Sequence, residues 1–252
     1  VASCSFDGTG LAILIPAWNE EEALPAVLAE IHEYVPQAHV VVIDDGSRDS
    51  TSQVARAHGA TALTLPLNLG VGGAMRAGYR YAWRAGYEMA IQVDADGQHR
   101  PADIAKLVQT MQETGADLVI GARFAGVGNY EVRGPRAWAM SLLSGILSRI
   151  CKVKLTDTTS GFKLANRRTI GVLAEEMPAE YLGDTIEALV IAAKHNLRVA
   201  QVGVEMRERI AGQPSHNVWK SAKFLLRGLI SMAVAATRPR EKELNKKEEG
   251  RQ

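Results

Sequence analysis

LAILIPAWNEEEALPAVLAEIHEYVPQAHVVVIDD, residues 11–45, is the passage from which the architecture is read. Residues 11–16 and 39–44 are near-continuous runs of Ile, Leu, Val and Ala. That character belongs to strands covered on both faces. Between them Ala23, Leu24, Val27, Leu28 and Ile31 recur at three- and four-residue spacing, which is the apolar stripe of an amphipathic helix. Asn19, with Glu22 three residues on, is placed to cap that helix in a capping box.

Working outward, the alternation continues. Residues 61–65, 88–93 and 117–122 read as further strands, and Pro101 suits the first turn of another helix, where its missing N–H costs nothing. Alternating β and α elements imply an α/β fold with a mostly parallel central sheet and flanking helices. Ligands of such sheets bind at the carboxyl ends of the strands. The second half is less regular: a helix over 137–150, an extended or turn segment over 157–164, a helix over 184–195 and a strand over 198–206.

Composition narrows the function classes. The 252 residues are 46% hydrophobic and 23% charged, as in an ordinary soluble domain. A net charge of +1 supplies no global field for nucleic acid. Cys4 and Cys151 stand far apart and outside any CxxC, so no disulfide framework or structural zinc is expected, and a reducing cytoplasm suits the chain. The first residues, Val-Ala-Ser-Cys-Ser-Phe-Asp, lack the basic and apolar regions of a signal peptide. The longest apolar segment, 224–236, is interrupted by Arg227 and falls short of the roughly 20 residues a membrane-spanning helix needs.

The polar residues gather just after the strands. Pro16, Ala17, Trp18, Asn19 and Glu20 follow the first, and Asp44 and Asp45 with a Gly-Ser turn follow the second. There a carboxylate serves either loop chemistry or hydrogen bonds to a ribose or base. Gly70, Gly72 and Gly73 invite a dinucleotide reading, but GxGxxG would need glycine where Met75 stands. They read as a turn entering a helix, with backbone close to a ligand as a second reading.

The most informative loop is Gln92-Val93-Asp94-Ala95-Asp96-Gly97-Gln98-His99. Two carboxylates at i and i+2 past an apolar strand turn toward one point once the chain leaves the sheet. Hard oxygen ligands of this kind suit Mg²⁺ or Mn²⁺, whose shell is completed by water and substrate phosphate. Arg123, Arg133 and Arg136 follow the fifth strand and are candidates to clamp phosphate.

In order, IPAWNEE, VIDDGSRDST, NLGVGGAMRAG, QVDADGQHRP, GAR and TSGFK resemble the family 2 glycosyltransferases, inverting enzymes of the GT-A fold, and within them the dolichol- and polyprenyl-phosphate glycosyltransferases. The resemblance covers about residues 11–215. It implies that Pro16, Trp18 and Glu20 line the nucleotide pocket, with Asp44 and Asp45 beside the base or ribose. It further implies that Asp94, Ala95, Asp96 and Gln98 hold the metal and the donor diphosphate. Arg123, Arg136 and Ser141 match groups that receive the acceptor phosphate, and Arg209 and Ser215 a loop that closes over the donor. The family usually carries Tyr where Trp18 stands. A lipid phosphate needs no general base, whereas a hydroxyl acceptor does, and Asp184 and Glu187 sit where other members place a helix-borne acid.

The expected organisation is a catalytic domain over 1–215, an amphipathic basic helix over 216–236 and a charged, disordered tail over 237–252. On the helix, Trp219, Ala222, Leu226, Leu229, Ile230 and Ala233 share one face, and Lys220, Lys223 and Arg227 lie roughly opposite. Such a helix suits an anionic membrane interface; packing on the domain's own core is the other reading. The expectation is therefore sugar transfer from a GDP- or UDP-sugar to a polyprenyl phosphate, peripherally at the cytoplasmic face of a membrane. Transfer to a soluble or polysaccharide hydroxyl, nucleotidyl transfer and an inactive nucleotide-sugar binding module are the competing readings.

Overall fold

Apolar strands buried on both faces need helices on both sides, and the chain supplies them. The computed structural model describes residues 6–123, 144–178, 184–207 and 209. Its strands are β1 (Leu11–Ala17), β2 (His39–Asp44), β3 (Thr61–Thr64), β4 (Met89–Gln92), β5 (Leu118–Ala122), β6 (Lys163–Asn166) and β7 (Val199–Gly203). The helices are α1 (Leu24–Tyr34), α2 (Thr51–Ala57), α3 (Gly70–Arg84), α4 (Ile104–Thr114), α5 over residues 144–151, α6 (Arg167–Glu176) and α7 (Asp184–Lys194).

The strands form one sheet in the order β3-β2-β1-β4-β6-β5-β7. All pairings are parallel except those of β6, which runs antiparallel to both β4 and β5. Side chains alternate between two cores, as a period of two requires. In β1, Ala12 and Leu14 face the core under α3, α6 and α7. Leu11, Ile13 and Ile15 face the core under α1 and α4. Strands β1 to β5, α1, α7 and β7 stand where the hydrophobic pattern places them, to within a few residues. The antiparallel β6 was not expected as a strand.

The expected cap of α1 is corrected. Helix α1 begins at Leu24, after a turn, and no side chain caps it. Asn19 instead has φ 55; its N–H donates to Ser47 Oγ at 2.9 Å, and its Oδ1 accepts the Arg48 N–H at 2.8 Å. It therefore ties the loop after β1 to the loop after β2. Pro101 opens a 3-10 turn that leads into α4, and α4 ends at Gly115 in the left-handed conformation. Cys151 is a free thiol that burial pushes up to about 11. Among the described residues no helix is long and apolar enough to cross a membrane. The expected helix over 216–236 and tail over 237–252 lie outside the described residues.

Candidate active site

Strand β1 has β2 on one side and β4 on the other, so the chain reverses its winding between β1 and β4. That crevice, at the carboxyl ends of the strands, is where doubly wound sheets bind ligands. A cavity of about 260 Å³ opens there, lined by Pro16, Ala17, Trp18 and Glu20 after β1, Asp45 after β2, and Asp94, Ala95 and Asp96 after β4. Asn68, Gly70, Val71 and Ala74 close it at the start of α3, and Arg209 comes in from beyond β7.

Each wall has a local cause. Both oxygens of Asp45 accept helix-start N–H groups, from Leu69 at 2.7 Å and Gly70 at 2.8 Å. Gly70 has φ 77, a conformation glycine adopts without strain. The carboxylate thus satisfies donors that a helix start leaves unpaired, and it fixes Val71 and Ala74 against the cavity. Burial nevertheless holds the Asp45 carboxyl above its ordinary range. Trp18 is 50% exposed at the rim, an aromatic face open for stacking.

The acid pair sits in a framework of its own. The Asp94 N–H donates to His99 Nδ1 at 3.0 Å, and His99 Nε2 lies 3.5 Å from Asp94 Oδ2. His99 is itself buried and stacked on Phe162. Gln92 Nε2 donates to Asp94 Oδ1 at 3.3 Å, while the Gln98 N–H donates to Asp96 Oδ1 at 3.0 Å. A Cβ on Gly161 would stand 2.9 Å from Gln92 Nε2 and 3.1 Å from Asp94 Oδ1, so glycine keeps that space open.

Charge is the dominant feature. Burial, then the Asp94 charge, raises the Asp96 carboxyl. Burial, followed by the Asp96 charge, raises Glu20 to about 7. The Arg209 guanidinium, with Nε 3.3 Å from Asp96 Oδ2, offsets this only in part. Crowded carboxylates with too little positive charge fit a divalent cation held by Asp94 and Asp96. Among the described residues no three His, Cys, Asp or Glu side chains form a complete cage, so a cation held by Asp94 and Asp96 would need its remaining ligands from water or phosphate.

The structure therefore gathers Pro16, Trp18, Glu20, Asp45, Asp94, Ala95, Asp96 and Arg209 at one cavity. It does not bring Asp44 there: that buried carboxylate accepts from the Ser47 N–H and from Ser52 Oγ, organising its own loop. Gln98 stands beside the acids, but its side-chain amide donates to the Arg207 carbonyl at 3.5 Å. Arg123, at the end of β5, is set on the buried Asp157: its Nε donates to Asp157 Oδ2 at 3.1 Å, and Nη2 donates to Thr159 Oγ1 at 3.0 Å. Asp184 opens α7; its side chain, with Arg136, Ser141 and Ser215, lies outside the described residues. Sequence reasoning missed Asn68, Val71 and Ala74 as lining side chains, and His99, Phe162 and Asp157 as supports. The Gly-rich run was the one signal for the first group.

The family model Glycosyl transferase family 2 matches residues 12–171. The chain is a family 2 glycosyltransferase. This glycosyltransferase is 32% identical to the polyprenol monophosphomannose synthase of Mycolicibacterium smegmatis, over 90% of this chain and 91% of that one. It is 30% identical to the undecaprenyl-phosphate mannosyltransferase of Micrococcus luteus, over 79% and 84% respectively. Among solved structures, glucosyl-3-phosphoglycerate synthase of Mycobacterium tuberculosis, in complex with Mn²⁺ and uridine diphosphate, superposes with a TM-score of 0.65 at 21% identity. That match covers 88% of this chain and 79% of the other, and shows the shared GT-A fold.

Proposed function

We propose that this glycosyltransferase moves a sugar from a GDP- or UDP-sugar to a polyprenyl phosphate, with Mg²⁺ or Mn²⁺ bound at Asp94 and Asp96. One arrangement carries the reading. The acids after β4 and the Arg123 guanidinium after β5 stand on the same edge of the sheet, with β6 between them. Two strand spacings, about 10 Å, separate β4 from β5, on the scale of a sugar placed between a donor diphosphate and an acceptor phosphate. The similarity to lipid-phosphate mannosyltransferases over most of the chain supports the same acceptor class.

A bound cation supplies charge stabilisation to the departing nucleoside diphosphate. The chain's own residues do the rest. Trp18, Val71 and Ala74 give the base an apolar surface, and Asp45, already holding the start of α3, keeps lone pairs for the ribose or base. Arg209 is placed to move from Asp96 onto donor phosphate. Arg123, held on Asp157, and Arg136 receive the acceptor phosphate. That phosphate is anionic near neutral pH, so its oxygen attacks C1 opposite the leaving group with inversion and without a general base. Positioning and charge compensation then carry the rate. Gln98 assists at the acid pair, and Ser141 and Ser215 complete the acceptor and donor loops. We place the enzyme peripherally at the cytoplasmic face of a membrane, with residues 216–236 lying in the interface.

Labelled GDP- and UDP-sugars, incubated with polyprenyl phosphate and Mn²⁺ or Mg²⁺, test the proposal. Organic-phase label that disappears with EDTA is the expected result and names the donor. A water-soluble labelled product would move the acceptor to a hydroxyl and put Asp184 and Glu187 in the base role. Liposome co-sedimentation, lost on removal of the residues after Asn217, is expected of the membrane reading; unchanged binding by the truncated chain would refute it.

A further inference from the structure

Away from the cavity, one ion pair joins parts of the chain that the sheet does not bring together. Arg207, beyond β7, donates through both terminal nitrogens to the two oxygens of Glu30 on α1, at 2.8 Å each. This is the planar two-bond fork by which guanidinium grips carboxylate. Glu30 stands on a helix whose Leu24, Val27, Leu28 and Ile31 are buried, so the anchor is rigid. On the other side the same segment is laid along the acid loop. Met206 bridges His99, the Arg207 N–H donates to the Gln98 carbonyl at 3.1 Å, and Glu205 pairs with Arg100. Arg209, whose guanidinium meets Asp96, comes two residues after the fork.

Exposed ion pairs ordinarily add little stability, because solvent screens them and long side chains lose freedom. Here the effect of the pair is local. It ties the Arg207 side chain to α1, two residues before Arg209.

We propose that Glu30 and Arg207 form a positioning clamp that sets Arg209 over the acid pair. In the free enzyme Arg209 then neutralises Asp96, and with donor bound it serves the diphosphate. The inference rests on the cavity being the donor site. Neither Glu30 nor Arg207 touches substrate. The clamp has an unusual signature. Without nucleotide, Arg209 and a cation compete for the charge on Asp96; with nucleotide, Arg209 adds to binding. Loosening the clamp therefore moves the two affinities apart, whereas a merely structural tie would weaken both or neither.

The test uses the full chain with Mn²⁺ alone, followed by electron paramagnetic resonance, and with GDP and UDP in the presence of Mn²⁺, followed by calorimetry. Glu30→Gln removes the charge and half the fork, Arg207→Lys keeps the charge without the fork, and Arg209→Ala is the reference. We expect Glu30→Gln to weaken nucleoside diphosphate binding about tenfold, to raise the donor KM more than it lowers kcat, and to leave Mn²⁺ affinity unchanged or tighter. The exchange Glu30→Arg with Arg207→Glu restores most of the nucleotide affinity. Parallel loss of Mn²⁺ and nucleotide binding would overturn the clamp. So would unchanged nucleotide binding in Glu30→Gln where Arg209→Ala weakens it, and that result leaves the donor site standing. If Arg209→Ala is also without effect, the donor reading of this face falls too.

Discussion

Burial and the charge of Asp94 hold the Asp96 carboxyl above its ordinary range, so the ionised side chain costs the folded state free energy that a bound cation would return. Asp96→Asn keeps the shape and removes the charge. We expect it to lower turnover by about a hundredfold or more, the scale of losing a transition-state charge stabiliser. Its melting temperature in EDTA should be unchanged or higher, since active-site charge is bought with stability. Normal turnover in Asp96→Asn would remove the metal assignment. Gly161→Ala tests the same point sterically: its methyl must displace the Gln92 amide or the Asp94 carboxylate. Calorimetry should show Mn²⁺-dependent nucleotide binding lost while the circular dichroism spectrum is kept. Asp94 and Asp96 were legible in the sequence because a carboxylate pair at a strand end is a local pattern. His99, Gln92 and Phe162 were not, because stacking and hydrogen bonds beneath the acids arise only after β4 and β6 pair.

Among the elements, α3 carries the clearest double duty. Asp45 accepts the N–H groups of Leu69, just before the helix, and of Gly70, its first residue, while its carboxylate lines the cavity. Asp45→Ala should therefore lose about 1–2 kcal/mol in urea unfolding, the scale of a lost helix cap with buried donors left bare. That separates it from Asp96→Asn, which should lose none. On another helix, Glu176 closes α6 by accepting from His195 Nε2 at 2.7 Å and Lys194 Nζ at 3.1 Å. Burial alone would raise its carboxyl, but these bonds outweigh that and hold it below 4.5. A depressed carboxylate stabilises above its unfolded value and loses that stability as pH falls through the folded one. The Glu176→Gln variant should thus be less stable than the parent above pH 4.5, by about 0.5 kcal/mol after solvent screening. The two should converge in melts at more acid pH. A gap that persists in acid would contradict the ion-pair account.

Element by element, the sequence was readable where periodicity spoke and silent where partners are distant. The stripe through Leu24, Val27, Leu28 and Ile31 placed α1, yet its cap was misread, because a turn intervenes and Asn19 finds Ser47 and Arg48 in the next loop. Strand β6, Lys163-Leu164-Ala165-Asn166, is too short to show alternation, and its antiparallel place between β4 and β5 is a fact of topology. The Glu30–Arg207 fork joins positions 177 apart; two surface charges carry no mark of each other in the chain.

For the whole molecule, the sheet topology matters more than any one residue. With β6 alone reversed, the carboxyl ends of β1, β2, β4 and β5 share one edge, and the cavity, acid pair and Arg123 fall along it in that order. On the proposed reading, the acceptor at the Arg123 end is a lipid phosphate, attacked without a general base. The most direct test offers the enzyme polyprenyl phosphate and the corresponding free polyprenol side by side, with the same labelled nucleotide-sugar and Mn²⁺. We predict organic-phase label from the phosphate alone, reduced by about a hundredfold in Arg123→Ala. Equal label from the alcohol, or transfer to the phosphate that survives the loss of Arg123, would contradict the account.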